Sequence, residues 1–264
     1  SVRSAGLQGA GGALVGDAGA VFSNPAGLAT LRYIGLEGTY RRVPGDLFAA
    51  TGAAAFRLRQ FDLGLGVKYL GYDSASGFPR ITLSLPHEAL AVGSLIYRYG
   101  LIALGGSVRY LRRDDGVVRE RALSGDLGLA IAFFDIMAIG FAVQNITDNW
   151  YDDSPLALPR VTRLGFTMNY VDPLETFRLL SVIEGQWPED GPGRVILGAE
   201  AGIVVYGIGL IGRAAYSSRP QGSTQPRLTA GGSVALGRMH LDYAYAVQDP
   251  LGGAAHRVGL RLTL

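Results

Sequence analysis

The side chains that most often carry out chemistry lie scattered along this chain of 264 residues. Its three histidines, His87, His240 and His256, are far apart and show no metal-ligand spacing to an aspartate or a cysteine. Cysteine is absent, and no serine lies in the context of a nucleophile elbow. The sequence therefore predicts no catalytic site, no metal and no cofactor, and a protein that is not an enzyme.

Nine charged residues do share a pattern, because each occupies the face of a predicted strand that otherwise carries small residues. They are Asp62, Lys68, Arg109, Asp126, Glu200, Arg213, Asp242, Arg257 and Arg261. Charges of both signs suit an enclosed lumen in which each buried charge needs a partner, whereas a ring of one sign would favour ion selectivity. Two interpretations stay open: a polar path lined by charges, or a structural network that fixes another part of the chain in place.

The strands that carry these charges are predicted from an alternation of apolar with small or polar residues, which begins near residue 32. In residues 60–72 one face carries Phe61, Leu63, Leu65, Val67 and Tyr69, and the other carries Asp62, Gly64, Gly66 and Lys68. A soluble sandwich would place strand-forming polar residues on its exposed face, where Gly and Ala are poor choices. The pattern favours a closed barrel with small residues inside and bulky residues towards lipid; the soluble sandwich is the alternative.

The composition also favours a membrane barrel. Charged residues make up 17% of the chain and glycine is abundant, with 39 copies, whereas a soluble domain has about 25% charged residues. No apolar run of about 18 residues is free of interruption, so no spanning helix is predicted. The net charge of +2, without a basic stripe interleaved with aromatic residues, argues against a nucleic-acid partner.

The strands and their connections specify the type of barrel. Residues 31–264 divide into about fourteen segments, each near the length that a tilted membrane strand needs. Tight connections such as Arg59-Gln60 and Tyr206-Gly207 alternate with longer polar ones such as residues 74–86 and 217–225. Short turns at one rim and longer loops at the other are typical of outer-membrane barrels. The sequence therefore predicts an all-β, antiparallel transmembrane barrel over residues 31–264, located in the bacterial outer membrane.

The stretch at 16–29, GDAGAVFSNPAGLA, lacks the period of a strand. Asp17 is predicted to cap about one helical turn over residues 18–22. A break at Asn24 follows, because Pro25 fixes its own φ and moves the preceding residue out of the helical region. Gly27 permits a tight reversal. On its own this stretch could also be an ordinary N-terminal cap over a core.

Four passages together resemble one superfamily of outer-membrane barrels, which includes the long-chain fatty acid transporter FadL and the type IX secretion protein PorV. They are GDAGAVFSNPAGLA at 16–29, GFAVQNITD at 140–148, LPRVTRLGFTMNY at 158–170 and HRVGLRLTL at 256–264. The resemblance implies that residues 1–30 form a plug inside a fourteen-stranded barrel, and that the plug motif Asn24, Pro25, Ala26 and Gly27 helps to close it.

The resemblance leaves three functions open. The first is a PorV-like membrane-embedded partner in protein secretion or surface assembly, which the short outer loops and the small-residue lumen favour. The second is a FadL-like passive channel for the uptake of hydrophobic small molecules, and the third is a structural scaffold without transport. The expected partners are outer-membrane lipid or lipopolysaccharide, other outer-membrane or secreted proteins, and a hydrophobic small molecule.

Overall fold

Fourteen antiparallel strands form a closed barrel in which each strand pairs with its neighbours in sequence and the last pairs with the first. The structure is a computed structural model and describes residues 1–31, 33–43, 47–72, 86–133, 136–147, 149–151, 155–172, 176–218, 227–247 and 254–264. The predicted loops at 74–86 and 217–225 lie largely outside these residues. The all-β fold class and the number of strands are confirmed.

The strands are 8 to 15 residues long, and their bounds in chain order are as follows. They are β1 Ile34–Val43, β2 Leu47–Leu58, β3 Phe61–Tyr72, β4 His87–Tyr99, β5 Ile102–Asp114, β6 Arg119–Phe133, β7 Met137–Gln144, β8 Val161–Val171, β9 Phe177–Pro188, β10 Arg194–Val205, β11 Ile208–Ser217, β12 Leu228–Leu236, β13 Met239–Ala246 and β14 Ala255–Thr263.

Alternation in the sequence sets the two faces of the wall, because successive side chains of a strand point to opposite sides. In β3, Leu63, Leu65 and Val67 lie exposed on the outside, whereas Asp62 is buried inside. The same arrangement of exposed large apolar residues continues around the barrel. An apolar surface of this extent indicates a barrel that faces lipid.

The two rims of the barrel differ in their connections. At one end of the barrel, which we call the turn rim, β2 is connected to β3, β4 to β5, and so on up to β12 and β13. We call the opposite end the loop rim. At the turn rim, Tyr206 and Gly207 both have positive φ, 51° and 77°, as a two-residue hairpin turn of the mirror-image type requires. Both the start of β1 and the end of β14 also lie at the turn rim.

Residues 1–31, which we call the N-terminal segment, contain three short helices: α1 Val2–Gly6 and two 3₁₀ helices, Ala18–Phe22 and Pro25–Thr30. Helix α1 contacts β11 to β14, and the 3₁₀ helices contact β1 to β7 on the facing wall. Most residues of the segment are buried. None of the helices in the described part of the chain has the length and apolar character needed to cross a bilayer.

Two apolar clusters join the N-terminal segment to the wall. One contains Val21, Phe22 and Leu28 with Val92 and Ile96 of β4. The other contains residues 7, 10 and 14 with residues 180 and 182 of β9, 196 of β10 and 215 of β11. These strands place large apolar residues inside the barrel, which differs from the predicted small or polar inner face. The difference has a physical reason, because the segment supplies apolar partners for them. The division into a plug over residues 1–30 and a transmembrane barrel over residues 31–264 stays a prediction.

Candidate functional site: the barrel lumen

Asn24 fixes the turn of the N-terminal segment. It is fully buried, and its Oδ1 accepts from the Ala26 N–H (3.1 Å), which caps the following 3₁₀ helix. Its Nδ2 donates to the Gly12 carbonyl (2.6 Å) and to the Leu129 carbonyl of β6 (3.2 Å). Pro25 occupies the first helical position, where its missing N–H costs nothing. One amide thus connects the two parts of the segment to each other and to the wall.

Glycines of the wall provide the space for this turn. A Cβ at Gly128 would overlap Asn24 Oδ1, and one at Gly140 would overlap the Gly12 carbonyl oxygen. A Cβ at Gly105 would lie 2.8 Å from the Ala26 nitrogen. Glycine is therefore required at these positions for the close approach of two backbones. The abundant inward glycines match the shape of the segment.

Four of the predicted lumen charges form one buried network beside α1. Glu200 accepts from both Nε and Nη2 of Arg3, each at 3.0 Å, and also lies 3.2 Å from Arg213 Nε. Arg213 reaches Asp242 at 3.4 Å, and Arg261 reaches the same carboxylate at 3.5 Å. Because Arg3 belongs to the segment, this network of ion pairs attaches the segment to the wall between β10 and β14.

Predicted charges on the opposite wall pair locally and then contact carbonyl oxygens of the segment. Asp62 pairs with Arg57 (3.3 Å) and Arg98 (2.7 Å), and Arg57 Nη2 donates to the Ala29 carbonyl at 2.6 Å. In the same way, Arg109 pairs with Asp126 and donates to the Phe22 carbonyl at 2.9 Å. These arginines serve the segment as hydrogen-bond donors to its backbone.

The prediction missed a polar cluster around Glu184 of β9. Its buried carboxylate accepts from the backbone N–H groups of Gly11 (2.8 Å) and Gly12 (2.7 Å). Arg163 of β8 lies 3.1 Å from the same carboxylate, and its Nε donates to Gln144 at 2.8 Å. The inner face of β9 begins with large apolar residues before Glu184, so this strand does not show the small or polar inner face that was used to predict inward charges. Alternation of Glu184 and Gln186 with Ile183 and Trp187 is the signal that identifies them as inward.

The remaining two predicted charges lie apart from these ion pairs. Lys68 lies with its Nζ 4.3 Å from the centre of the Phe22 ring, a cation–π contact. Arg257 is half-buried and lies opposite Arg41 and Ala244 in the strand register. The structure therefore joins the predicted charges in separate groups and not in one continuous path.

A cavity of about 310 Å³ lies inside the barrel towards the loop rim. Leucines from three strands and a loop line it together with basic and acidic groups and with an amide. The principal lining residues are Arg41, Thr51, Lys68, Leu70, Glu88, Leu90, Arg109, Leu111, Asn145 and Leu158. Two of these residues, Lys68 and Arg109, contact Phe22, so the N-terminal segment closes the cavity on the side away from the loops.

The fold and the lumen together define a fourteen-stranded barrel of the membrane type, with an apolar outer wall and a polar interior that holds the first residues of the chain. Among solved structures, the toluene transporter TodX of Pseudomonas putida is similar, with a TM-score of 0.65 and 12% identity over 98% of this chain and 95% of that chain. The toluene transporter TbuX of Ralstonia pickettii has a TM-score of 0.59 and 15% identity over 99% and 97%.

A TodX channel mutant, described as a monoaromatic hydrocarbon channel, covers 100% of this chain at a TM-score of 0.62 and 11% identity. No protein-family model and no curated protein sequence matches the chain. Similarity at this level of identity establishes the fold alone, a closed antiparallel barrel of fourteen strands. The predicted barrel is therefore supported, whereas the PorV-like subtype is not confirmed by these structures.

Proposed function

We propose that the protein is a channel of the bacterial outer membrane that admits hydrophobic small molecules into its lumen, with residues 1–30 as the plug. This is the second of the three functions that the sequence left open. The fold shared with two toluene transporters is consistent with it. At 12% and 15% identity that likeness concerns the fold alone, so the lumen itself must carry the argument.

The observation that carries the proposal is the cavity beside Phe22. Its volume of about 310 Å³ falls at the lower end of the range for small-molecule sites, about 300–1,000 Å³. Leu70, Leu90 and Leu111 give it an apolar wall, which is the property that a hydrophobic molecule requires. Its position between the loop rim and the N-terminal segment is where a molecule entering from the loop side would first stop.

The secretion role, our main prediction from the sequence, has weaker support. It depended on short outer loops and on a lumen of small residues with no room for a ligand. Large inward residues and a cavity with leucine walls remove the second of these reasons. A scaffold without transport is the outcome that the following experiment separates from a channel.

The test fills the cavity from one strand. Ala49 of β2 lines the cavity, whereas Ala54 of the same strand lies in an apolar depression of the outer wall. We expect Ala49→Trp to reduce the influx of toluene into proteoliposomes to the level of protein-free liposomes, because the indole occupies the space that the solute needs. Ala54→Trp is the matched control and should leave the influx at the wild-type rate.

Two results would contradict the proposal. One is equal influx through Ala49→Trp and wild type, with both folded as judged by heat-modifiable gel mobility. The other is a wild-type influx no faster than that of protein-free liposomes, which would favour the scaffold.

A further inference from the structure

Three arginines gather on the outer face of the barrel where β5 and β6 reach the loop rim. Leu111 and Ala122 are buried and point inward, so their neighbours Arg112 and Arg121 point outward by the alternation of the strands. Arg119, at the start of β6, has a side chain that is 71% exposed. The three side chains form a cationic patch at the level where the wall leaves the membrane.

The register sets like charges side by side in this patch. Arg112 of β5 lies directly opposite Arg121 of β6, and Asp114 lies opposite Arg119. Like charges in facing positions destabilise a sheet. Asp114 pairs with Arg119 at 2.7 Å and lies 4.0 Å from Arg112, so two of the three arginines share this carboxylate.

The next carboxylate along the chain is engaged by its own loop. The Asp115 carboxylate accepts from the N–H groups of Val117 (2.8 Å) and Val118 (2.7 Å). The hydrogen bonds from Val118 and Val117 also hold the pKa of Asp115 below its usual value. This carboxylate thus stabilises the β5–β6 loop.

The patch continues without interruption into apolar surface. From Arg112 towards the middle of the barrel, the outward face of β5 carries Tyr110 and Val108, and Leu127 is exposed on β6. The ring of Trp150 is half exposed and covers Gly125 of β6. Arg121 has its guanidinium 4.3 Å from the centre of the Tyr151 ring. Cations above an apolar belt with aromatic residues at the boundary fit an amphiphile with an anionic head.

We propose that Arg112, Arg119 and Arg121 bind the phosphorylated headgroup of an outer-leaflet lipid, whose acyl chains lie on the apolar wall of β5 and β6. Phosphate is the anion that the planar fork of an arginine matches with two parallel hydrogen bonds. A lipid is favoured over a soluble phosphate because the patch faces outward and joins the apolar belt. This inference rests on the membrane location of the proposed function and is independent of transport.

The experiment measures lipid binding to the refolded full-length barrel in detergent micelles by native mass spectrometry. The probes are bisphosphorylated lipid A, the same lipid with its phosphates removed, and inorganic phosphate. We expect Arg112→Gln/Arg121→Gln to weaken the binding of lipid A by roughly tenfold or more, because two charge-assisted contacts are lost. Arg238→Gln, which removes an exposed arginine at the turn rim, is the matched control and should bind as wild type does.

The phosphate-free lipid should bind equally to all variants, and inorganic phosphate at millimolar concentration should not displace lipid A from the wild type. Equal binding of lipid A to wild type and to the double variant would overturn the proposal, as would displacement by inorganic phosphate. If the double variant fails to fold, Arg119→Gln provides the same comparison at an exposed position, with a smaller expected loss of about threefold. Lipid binding is read independently of toluene influx, so failure of one proposal is distinguishable from failure of the other.

Discussion

The two halves of the N-terminal segment differ in the contacts that hold them in the barrel. Residues 1–17 carry the charged side chains of the segment, Arg3 and Asp17, and wall carboxylates bind this half through Glu200 and Glu184. Residues 18–31 carry no charged side chain. Wall arginines donate to the backbone carbonyls of this second half, and seven of its residues enter one apolar cluster.

One lumen thus holds the segment by two kinds of contact that differ in how many interactions share the load. Apolar packing over the second half is spread over many small contacts, and loss of one side chain leaves the others in place. The first half depends on a few strong ionic contacts and on three buried apolar residues, 7, 10 and 14, in its cluster. We therefore expect the first half to be the part that a single substitution releases.

The largest effect is expected for Glu200→Ala. It removes the carboxylate that Arg3 and Arg213 share and leaves two buried cations without it. Removing one partner of a buried ion pair costs about 3–5 kcal/mol. Urea unfolding in micelles should show this loss, and planar-bilayer recordings should show channel openings that are absent in wild type. Unchanged stability would show that the ionic network does not hold the first half.

A smaller loss in the free energy of unfolding is expected for Leu28→Ala in the second half. Leu28 is fully buried in the apolar cluster, so its truncation should cost about 2–4 kcal/mol in the same unfolding experiment. Because the other apolar residues stay in contact, bilayer recordings should show no new openings. Openings as frequent as those of Glu200→Ala would remove the distinction between the two halves.

Asn24→Ala tests the connection between the halves. It removes the cap of the second 3₁₀ helix and leaves the Gly12 carbonyl without its donor. We expect a loss of about 1–3 kcal/mol in the free energy of unfolding. Asn24→Asp, which keeps the cap but not the two donated hydrogen bonds, separates the contributions. A stability of Asn24→Ala equal to that of wild type would show that the amide is dispensable.

The smallest effect is expected for Glu184→Gln. Both glycine N–H groups donate to the same oxygen, Oε2, so the amide oxygen can still accept from both, but the ion pair with Arg163 is lost. The unfolding free energy should fall by about 1–2 kcal/mol, and openings should be rarer than for Glu200→Ala. If Glu184→Gln opens the channel more often than Glu200→Ala, the charge of Glu184 is the main attachment of the first half.

The barrel could be predicted because its signal is local. Alternation within each strand and the kind of turn between strands depend on residues that are close in sequence, and both the closed barrel and its fourteen strands are confirmed. The inner face was correctly described for β3, where Gly64 and Gly66 leave the space that Leu28 and Phe22 of the segment occupy. It was wrong for Val92, Ile96 and Leu180, because their partners lie in a segment far away in sequence.

The partners of the charged residues could not be predicted from the sequence, for the same reason. Nothing near Glu200 indicates that Arg3 will reach it, since 197 residues separate them. Arg57 and Arg98 face Asp62 from adjacent strands, and such pairs need the register, which alternation alone leaves undetermined. Whether the nine predicted charges act in transport or only hold the segment stays open to the experiments above.

The contact between α1 and the last strands also constrains how the chain folds. Gln8, just after α1, donates its N–H to Thr229 Oγ1 across a separation of 221 residues, and α1 contacts β11 to β14, the last of which forms the seam with β1. Once that seam has formed, the lumen has no lateral entry for the segment through the strands. The segment must therefore either lie inside the sheet before the seam forms or enter through a rim. Contacts this distant in sequence make slow folding the expected result.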